Sequence, residues 1–338
     1  MDWTLGFSSI YYGCYVDPAS WRDIERFEII SGSIEHTSDD LRESASVVLS
    51  DYDKTTERWI RIYLDTKQNE NGVHVPLFTG LAATPDKNIN GFSFEYTLTC
   101  YSVLKPAQDI LLQRGWYAPV ETSSGLIIKE LLQGFAPVKV ADNSPLLSQA
   151  IIAEDGETNL SMVDKILKAI DWRLKIDGDG TINVLPKPLE ISAEFDATNN
   201  DIIEPEITYT HDWFDCPNCF RAISGDLTSV AKDESNGVLS IPSRGREVWM
   251  EEDSCDLADD ESIAEYAIRR LKEEQSVSTT VSYARRYNPN VNVSDYVYLH
   301  YPAQGIDGIY SVTDQSIELS YGARVTEEAK YETSYQGL

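Results

Sequence analysis

Residues 294–325 constrain the fold of this chain more than any other stretch. β-Branched and aromatic residues alternate with polar residues there, a pattern typical of strands that bury one face. Residues 302–308 interrupt the alternation with residue types that tolerate turns, so we expect two strands that flank a loop. A third strand is expected through Ile317 and Leu319. The stretch therefore predicts one wall of a β-domain.

A second stretch near the other end of the chain, residues 59–101, repeats this pattern. Its long alternating strands correspond to those of the first stretch, and Phe78-Thr79-Gly80 stands where Ile306-Asp307-Gly308 stands. Because the identity between the two stretches is slight, they fit either a duplicated β-domain or two unrelated meanders. A duplication predicts the same strand order in residues 27–101 and 207–325.

The balance of charge excludes several classes of partner. The 338 residues include 56 acidic and 28 basic side chains, for a formal net charge of −28. Phosphate binding needs clustered Lys and Arg, so neither nucleic acid nor an anionic membrane surface is expected as a direct ligand. The excess acid fits a solvated surface, or a passage whose lining repels other polyanions.

The N-terminal residues and the cysteines indicate the compartment in which the chain folds. Residues 1–10 lack the basic start and apolar core of a signal peptide, and no apolar run reaches the ~20 residues that span a bilayer. Five cysteines, an odd number in a long chain, fit reduced thiols rather than a disulfide framework. We therefore expect no membrane insertion, and folding in the cytosol.

The periodicity of the apolar residues divides the chain into three parts. Residues 1–104 are predicted to form a first β-domain, whose aromatic N-terminus is either an interface anchor or a strand against the barrel. Residues 105–205 are predicted to form a small α/β domain, and residues 206–338 a second β-domain with an inserted helical segment at about 235–276. A strand is expected at residues 27–35.

Helix and turn signals mark the middle part. Apolar residues recur at helical spacing in residues 104–111 and 124–133, and a third helix is expected to begin at a cap on Thr158 or Asn159. Asp177-Gly178-Asp179-Gly180 then predicts a hairpin with a tight primed turn.

The last part combines a predicted strand at residues 220–225 with a predicted helix at about 260–275. Acids at the start of this helix and the bases Arg269, Arg270 and Lys272 toward its end suit the helix dipole.

Candidate chemistry is sparse. Cys216 and Cys219 have the spacing of a zinc half-site or a redox pair, but a zinc site needs four ligands and no second pair follows, so we interpret them as ordinary thiols. The turn at 177–180 resembles the start of a calcium loop, yet its twelfth position is Pro188 rather than Glu. Paired carboxylates could serve a glycosidase, but pairs occur by chance among 56 acids. The four histidines are far apart, so no catalytic, cofactor-binding or metal-binding residue is predicted.

The order of several motifs resembles one protein family. The run Val75-Pro76-Leu77-Phe78-Thr79-Gly80, the strand at 96–101 and the helix after it are similar to the first domain of phage baseplate hub proteins. That family includes the late control protein D group and the hubs of contractile tails and phage-like bacteriocins. Its later motifs are matched, in order, by Gly156-Glu157-Thr158, residues 160–170, Trp172, 177–184, 218–223, Gly245-Arg246, 264–271, 295–299 and 305–312.

The resemblance implies a structural protein rather than an enzyme. The implied fold is β-rich α+β, with two tail-tube-like β-barrel domains and an inserted small α/β domain. The implied function is a baseplate hub, a trimeric ring that joins the six-fold tail tube to the central spike and lines the DNA passage. The implied partners are further copies of the chain, the tail tube protein, the central spike protein, other baseplate proteins and the tape measure protein. Such a protein is assembled in the host cytoplasm and resides in the virion tail baseplate.

Two other functions stay open at this point. Some hub-like tail proteins carry a lytic domain, so a tail-associated peptidoglycan hydrolase is one alternative, although no Cys/His or zinc-hydrolase signature is present. The other is a module that binds host polysaccharide, which only the aromatic residues support. Release of peptide or sugar from purified cell wall would identify a hydrolase.

Overall fold

The computed structural model describes residues 1–38, 41–52, 56–91, 93–134, 136–188, 190–198, 203–211, 213–253, 255, 261–276 and 279–332. The first β-unit contains eight strands: β1 (Ser8–Asp17), β2 (Arg22–Glu28), β3 (Ser31–Thr37), β4 (Glu43–Leu49), β5 (Arg58–Gln68), β6 (Asn71–Ala82), β7 (Asp86–Asn90) and β8 (Ser93–Ser102). The aromatic N-terminus is a strand, because β1 pairs with both β2 and β5. The strand expected at residues 27–35 is interrupted at Ile29 and Ile30, between β2 and β3.

The middle domain follows, with three helices and two small sheets. Its elements are α1 (Lys105–Asp109), β9 (Tyr117–Ala118), α2 (Ser124–Leu131), β10 (Val138–Val140), β11 (Ile151–Ile152), α3 (Asn159–Ala169), β12 (Trp172–Ile176) and β13 (Ile182–Pro186). Thr158 caps α3 by accepting a hydrogen bond from the Ser161 amide, which confirms the predicted helix start. The predicted hairpin is present, but Ile176 pairs with Ile182 across five residues, with Gly180 at φ 83° instead of a two-residue primed turn.

The second β-unit begins earlier than predicted, with β14 (Ile191–Asp196) and β15 (Ile203–His211). Both strands pair with the second unit, so we place the end of the middle domain before residue 191 rather than at 205.

An insertion then starts after His211 rather than at about 235. It contains β16 (Cys219–Ser224), β17 (Leu227–Lys232), α4 (Ile241–Arg244), β18 (Trp249–Glu252) and α5 (Ile263–Ser276).

The insertion has its own core, in which Tyr266, Ala267 and Leu271 of α5 cluster with Phe220 and Ala222 of β16. The strand predicted at 220–225 therefore exists, but it belongs to the three-stranded sheet β17-β16-β18.

The predicted match of α5 to the helix dipole is confirmed at the start of the helix, where Glu265 lies in the first turn, and wrong at its end, because the last turn carries no basic residue. Arg269 and Arg270 instead lie mid-helix and form ion pairs with Glu261, Glu273, Glu274 and Glu252. Asp260, where the helix was expected to start, lies outside the described residues.

The last four strands are β19 (Thr279–Arg286), β20 (Tyr296–Tyr301), β21 (Ile306–Glu318) and β22 (Arg324–Tyr331). The loop between β20 and β21 is a short 3-10 turn, Pro302–Gln304. The prediction of a third strand through Ile317 and Leu319 is wrong, because Ile317 belongs to β21. The third strand of this stretch is β22.

Fourteen strands form one sheet, with the main order β15-β19-β22-β21-β3-β4-β8-β6-β5-β1-β2. The two β-units join where residues 314–318 of β21 pair antiparallel with β3. The hydrophobic core of the first unit continues across this joint and includes Ile317, Leu319 and Val325. The two predicted β-barrels are therefore not closed. In each unit, two strands that follow one another in the chain lie at opposite edges of the unit: β2 and β3 in the first, β14 and β15 in the second. Because a short connection joins these two strands, the edges approach each other and each unit curls toward a barrel.

The two β-units share one strand order. In the first it is β3-β4-β8-β6-β5, then β1 and β2, and in the second it is β15-β19-β22-β21-β20, then β14. The five shared strands are antiparallel to one another in both units. Because β21 is antiparallel to β3, equivalent strands also point in the same direction. The strand order required by a duplication is present, with β1 as an additional strand in the first unit.

Candidate functional site

The loop between β12 and β13 joins the middle domain to the first β-unit. The Thr79 hydroxyl donates to the carbonyl oxygen of Gly178 at 2.7 Å. The carbonyl oxygen of Asp179 accepts from Arg61 Nη2 at 3.0 Å. A Cβ on Gly178 would lie 1.9 Å from the carbonyl oxygen of Pro76, so the approach requires glycine. The loop that resembled the start of a calcium site is a docking element.

Arg61 holds this joint from the side of the β-unit. Its side chain is buried, its Nε donates to Thr79 Oγ1 at 2.9 Å, and its Nη1 pairs with Asp23 at 2.8 Å. The indole of Trp21 adds a 2.9 Å hydrogen bond to the carbonyl oxygen of Asp179. Leaving such a buried cation without partners costs several kcal/mol, so charged and hydrogen-bonded contacts stabilise the joint in addition to its complementary shape.

Three further ion pairs attach the middle domain to the remaining parts of the protein. Arg173 donates to the carbonyl oxygen of Ser294 and pairs with Asp295, both at 2.8 Å. The other two pairs are Arg42–Asp164 at 2.5 Å and Lys168–Glu252 at 2.7 Å. The middle domain therefore contacts the first unit, the second unit and the insertion.

A cavity of about 250 Å³ lies where the first unit, the middle domain and the second unit meet. Gln315, His36 and Glu43 line it and form one cross-strand row on β21, β3 and β4. Glu43 is 3% exposed, and neither carboxyl oxygen has a hydrogen-bond partner among the described residues. His36 Nδ1 is 3.8 Å from Glu43, too far for a hydrogen bond.

Burial controls the protonation of both groups in this row. It raises the pKa of the Glu43 carboxyl well above its usual range, and it lowers the pKa of His36 to about 4. Sequence spacing could not find this row, because Gln315 lies almost the whole length of the chain away from His36 and Glu43. Only the pairing of β21 with β3 brings the three side chains together.

The row continues into a buried polar network. Gln315 Nε2 donates to the carbonyl oxygen of Val291 at 2.9 Å and to Glu327 at 2.5 Å. Glu327 forms a fully buried ion pair with Arg285 at 2.5 Å. The network ties β21 to β19 and β22 behind the cavity.

The hairpins β5–β6 and β20–β21 each carry a tyrosine, a histidine and an aspartate. In β5 and β6 these are Tyr63, Asp65 and His74, and in β20 and β21 they are Tyr298, His300 and Asp307. Asp65 pairs across the ladder with His74, and His300 with Asp307, at distances of 2.6 and 3.0 Å between Nδ1 and Oδ1. The hydrogen bond to Asp307 raises the pKa of His300. Each hairpin thus presents an accessible His–Asp pair with a tyrosine beside it, although Tyr63 is buried and donates to Asp23.

The main strand order of the large sheet ends at β2 and β15, and the strands β14 and β7 each pair with one strand beside it. Six of the seven residues of β2 are exposed, as are the last four of β15. Edge strands offer backbone groups to a neighbouring chain, so both are candidates for contacts between subunits.

An exposed aromatic row extends from the end of β15. The ring of His211 is 4.2 Å from that of Tyr209 and 4.8 Å from that of Trp213. The guanidinium of Arg246 lies 4.6 Å above the ring of Phe214. These side chains, apart from Tyr209, line an open groove of about 470 Å³.

Cys216 and Cys219 lie buried at the base of the insertion. Cys216 Sγ donates to the carbonyl oxygen of Glu274 at 3.6 Å, and burial raises the pKa of the Cys219 thiol. Within the part of the chain described, no three His, Cys, Asp or Glu side chains converge on a common point that could hold a metal.

Asn218, between the two cysteines, ties three segments together. Its Nδ2 donates to the carbonyl oxygens of Leu239 and Arg246 at 3.1 and 3.0 Å, and its Oδ1 accepts from the Val248 amide at 2.8 Å. The asparagine of the sequence motif at 218–223 is therefore a structural residue.

Comparison with solved structures identifies proteins that share this architecture. A tail protein from Neisseria meningitidis MC58 superposes with a TM-score of 0.71 at 14% identity, over 97% of each chain. The chain has the fold of phage tail proteins. The 43 kDa tail protein of prophage MuSo2 from Shewanella oneidensis gives a TM-score of 0.70 at 12% identity, over 95% of this chain and 98% of that one.

The same tail-protein fold occurs within a larger assembly. A chain of the Francisella PdpA–VgrG complex matches 98% of this chain and 58% of its own length, with a TM-score of 0.58 and 7% identity. No family model and no curated protein sequence matches the chain. Among the described residues, no helix has the length and apolarity needed to cross a bilayer.

Proposed function

We propose that the protein is the structural hub of a phage or phage-like tail baseplate. Three copies form a ring that joins a six-fold tail tube to a central spike and surrounds the path of the DNA. The observation that carries this proposal is the repeat: two units with one strand order and one direction are joined in a single sheet. The tail-protein fold supports it, and the parts argued above are interfaces rather than an active site.

The repeat explains how a three-fold ring can meet a six-fold one. Three copies of two equivalent units present six similar positions around the axis. The exposed edges β2 and β15 would contact neighbouring copies.

The connections between strands give the ring a direction. At one end of the units residues 38–42 connect β3 to β4 where the whole insertion connects β15 to β19, so that end can only be three-fold. At the other end the connections are closer in length, 50–57 against 287–295 and 83–92 against 319–323, although the second pair differs by the strand β7. We place the tube at this second end and the spike at the first.

The excess of acidic residues lies in the β-units and the insertion rather than in the middle domain. Residues 105–190 hold 12 acidic and 9 basic side chains, the insertion (212–278) holds 16 and 7, and the two β-units hold the remaining 28 and 12. We propose that part of this excess lines the passage, where it keeps DNA from adhering.

Subunit counting tests the proposal. Native mass spectrometry of the protein, alone and with its tail partners, is expected to give a trimer, and images of the particle to show three copies in the hub ring. Six copies in that ring would refute the adaptor role. Cross-linking tests the direction: Tyr321→Cys is expected to join the tube protein and Glu70→Cys the spike, and the reverse result would refute the placement.

The aromatic groove favours a second candidate function, the binding of host polysaccharide. Exposed aromatic rings beside arginine offer stacking faces and hydrogen-bond donors to a sugar. Retention of the protein on host cell-wall polysaccharide that is lost in Trp213→Ala would support this function, and equal retention of the variant would reject it.

A further inference from the structure

We propose that the row formed by His36, Glu43 and Gln315 binds one divalent first-row transition-metal ion, such as Zn²⁺ or Mn²⁺. The ion would lie in the cavity between the first unit, the middle domain and the second unit. The ligands would be His36 Nδ1, the Glu43 carboxylate and the amide oxygen of Gln315, with water completing the shell.

The burial of the Glu43 carboxyl group favours a bound cation. A carboxyl group that is 3% exposed, with two oxygens that lack partners among the described residues, is costly to bury. Glu43 is one of the residues around a cavity of about 250 Å³, which has room for an ion and several waters. A cation would satisfy both oxygens.

The second argument is the distance between the two strongest donors. His36 Nδ1 and Glu43 Oε2 are 3.8 Å apart, too far for a hydrogen bond but less than the roughly 4.2 Å sum of a metal–nitrogen and a metal–oxygen bond. An ion therefore fits between them at a bent angle without a change of backbone. A nitrogen ligand favours transition metals over Mg²⁺ or Ca²⁺.

The third argument is the position of Gln315. Its Nε2 is held by the carbonyl oxygen of Val291 and by Glu327, which fixes the amide beside His36 in the same cross-strand row. An ion in this row would link β21, β3 and β4, and so connect the two β-units. The turn after β3 also carries Arg42, which pairs with Asp164 of the middle domain, so occupancy would stiffen the junction.

Calorimetry and thermal unfolding with chelator-treated full-length protein test the proposal, with ZnCl₂ and MnCl₂ as probes. We expect one ion per chain and a rise in the unfolding temperature. Glu43→Gln and His36→Gln should each lose saturable binding while keeping the wild-type circular dichroism spectrum. His74→Gln removes a histidine of the accessible His–Asp pairs and is the matched control.

Three results would overturn the proposal. They are no saturable binding by the wild-type protein, undiminished binding by Glu43→Gln, or an equal loss in His74→Gln. The first would leave Glu43 as a protonated buried acid. The third would assign the metal to the accessible His–Asp pairs.

Discussion

The joint at Gly178 gives the sharpest test of how the middle domain is held. Gly178→Ala would place a methyl group 1.9 Å from the carbonyl oxygen of Pro76 and 3.0 Å from the Leu77 amide nitrogen. Both neighbours are backbone atoms of β6, so neither can move without disturbing the sheet. We expect the loop to withdraw from the β-unit.

The cost of withdrawal follows from the hydrogen bonds that are lost. Thr79 and Trp21 each lose a neutral hydrogen bond worth about 1 kcal/mol, and the bond from Arg61 to Asp179 is worth about 1.5–3 kcal/mol. The sum is roughly 3–5 kcal/mol. Arg61 keeps its contact with Asp23, which limits further loss.

Urea unfolding and hydrogen exchange measure this effect. Gly178→Ala is expected to lower the unfolding free energy by that amount and to accelerate exchange in β12 and β13. Gly6→Ala is the control, because nothing lies within 4 Å of a Cβ at Gly6. Thr79→Val should fall between the two variants. If Gly178→Ala were as stable as Gly6→Ala, the docking argument would be wrong.

Three further predictions concern other parts of the protein. The raised pKa of Glu43 means that the folded state keeps a proton that the unfolded state releases above its ordinary value of 4.5, so the stability of metal-free wild-type protein relative to Glu43→Gln should fall by about 1.4 kcal/mol per pH unit as pH rises from there. His36, whose pKa is lowered to about 4, contributes the opposite slope up to its ordinary value of 6.5, but it is present in both proteins. Parallel profiles of the two proteins in urea unfolding from about pH 5 upward would refute the prediction. Asn218→Ala should lower the stability of the insertion by about 3 kcal/mol or more, since three backbone groups lose their partner; an unchanged melting curve would contradict this. Duplex DNA should not bind at physiological salt in a filter or anisotropy assay, and measurable affinity would count against an acidic passage.

Local signals in the sequence predicted local structure well. The alternation in β4 is an example: Ala45, Val47 and Leu49 are buried and alternate with half-buried residues, which a strand with one buried face requires. The cap at Thr158 was readable because a hydroxyl before an apolar helical run satisfies free backbone amides. The order of the motifs then led to the tail-protein fold.

Pairing between distant strands could not be read in the same way. Alternation shows which side of a strand is buried, but not which strand lies beside it. The strand at Phe220 therefore looked like part of the second β-unit, although it belongs to the sheet of the insertion. The continuity of the large sheet depends on five residue pairs between β21 and β3, and none of them leaves a local signal.

The differences between the two repeats bear on how the proposed ring would work. A perfect repeat would give six identical positions and no means of distinguishing tube from spike. Here the additions β1, β7, the middle domain and the insertion each occur once per chain, so they impose three-fold symmetry wherever they lie. The joints at Gly178, at Arg173–Asp295 and at Lys168–Glu252 fix two of these additions rigidly to the repeated frame and to each other. Since symmetry is only useful to a partner if the positions do not fluctuate, these joints matter as much to the adaptor as the repeat itself.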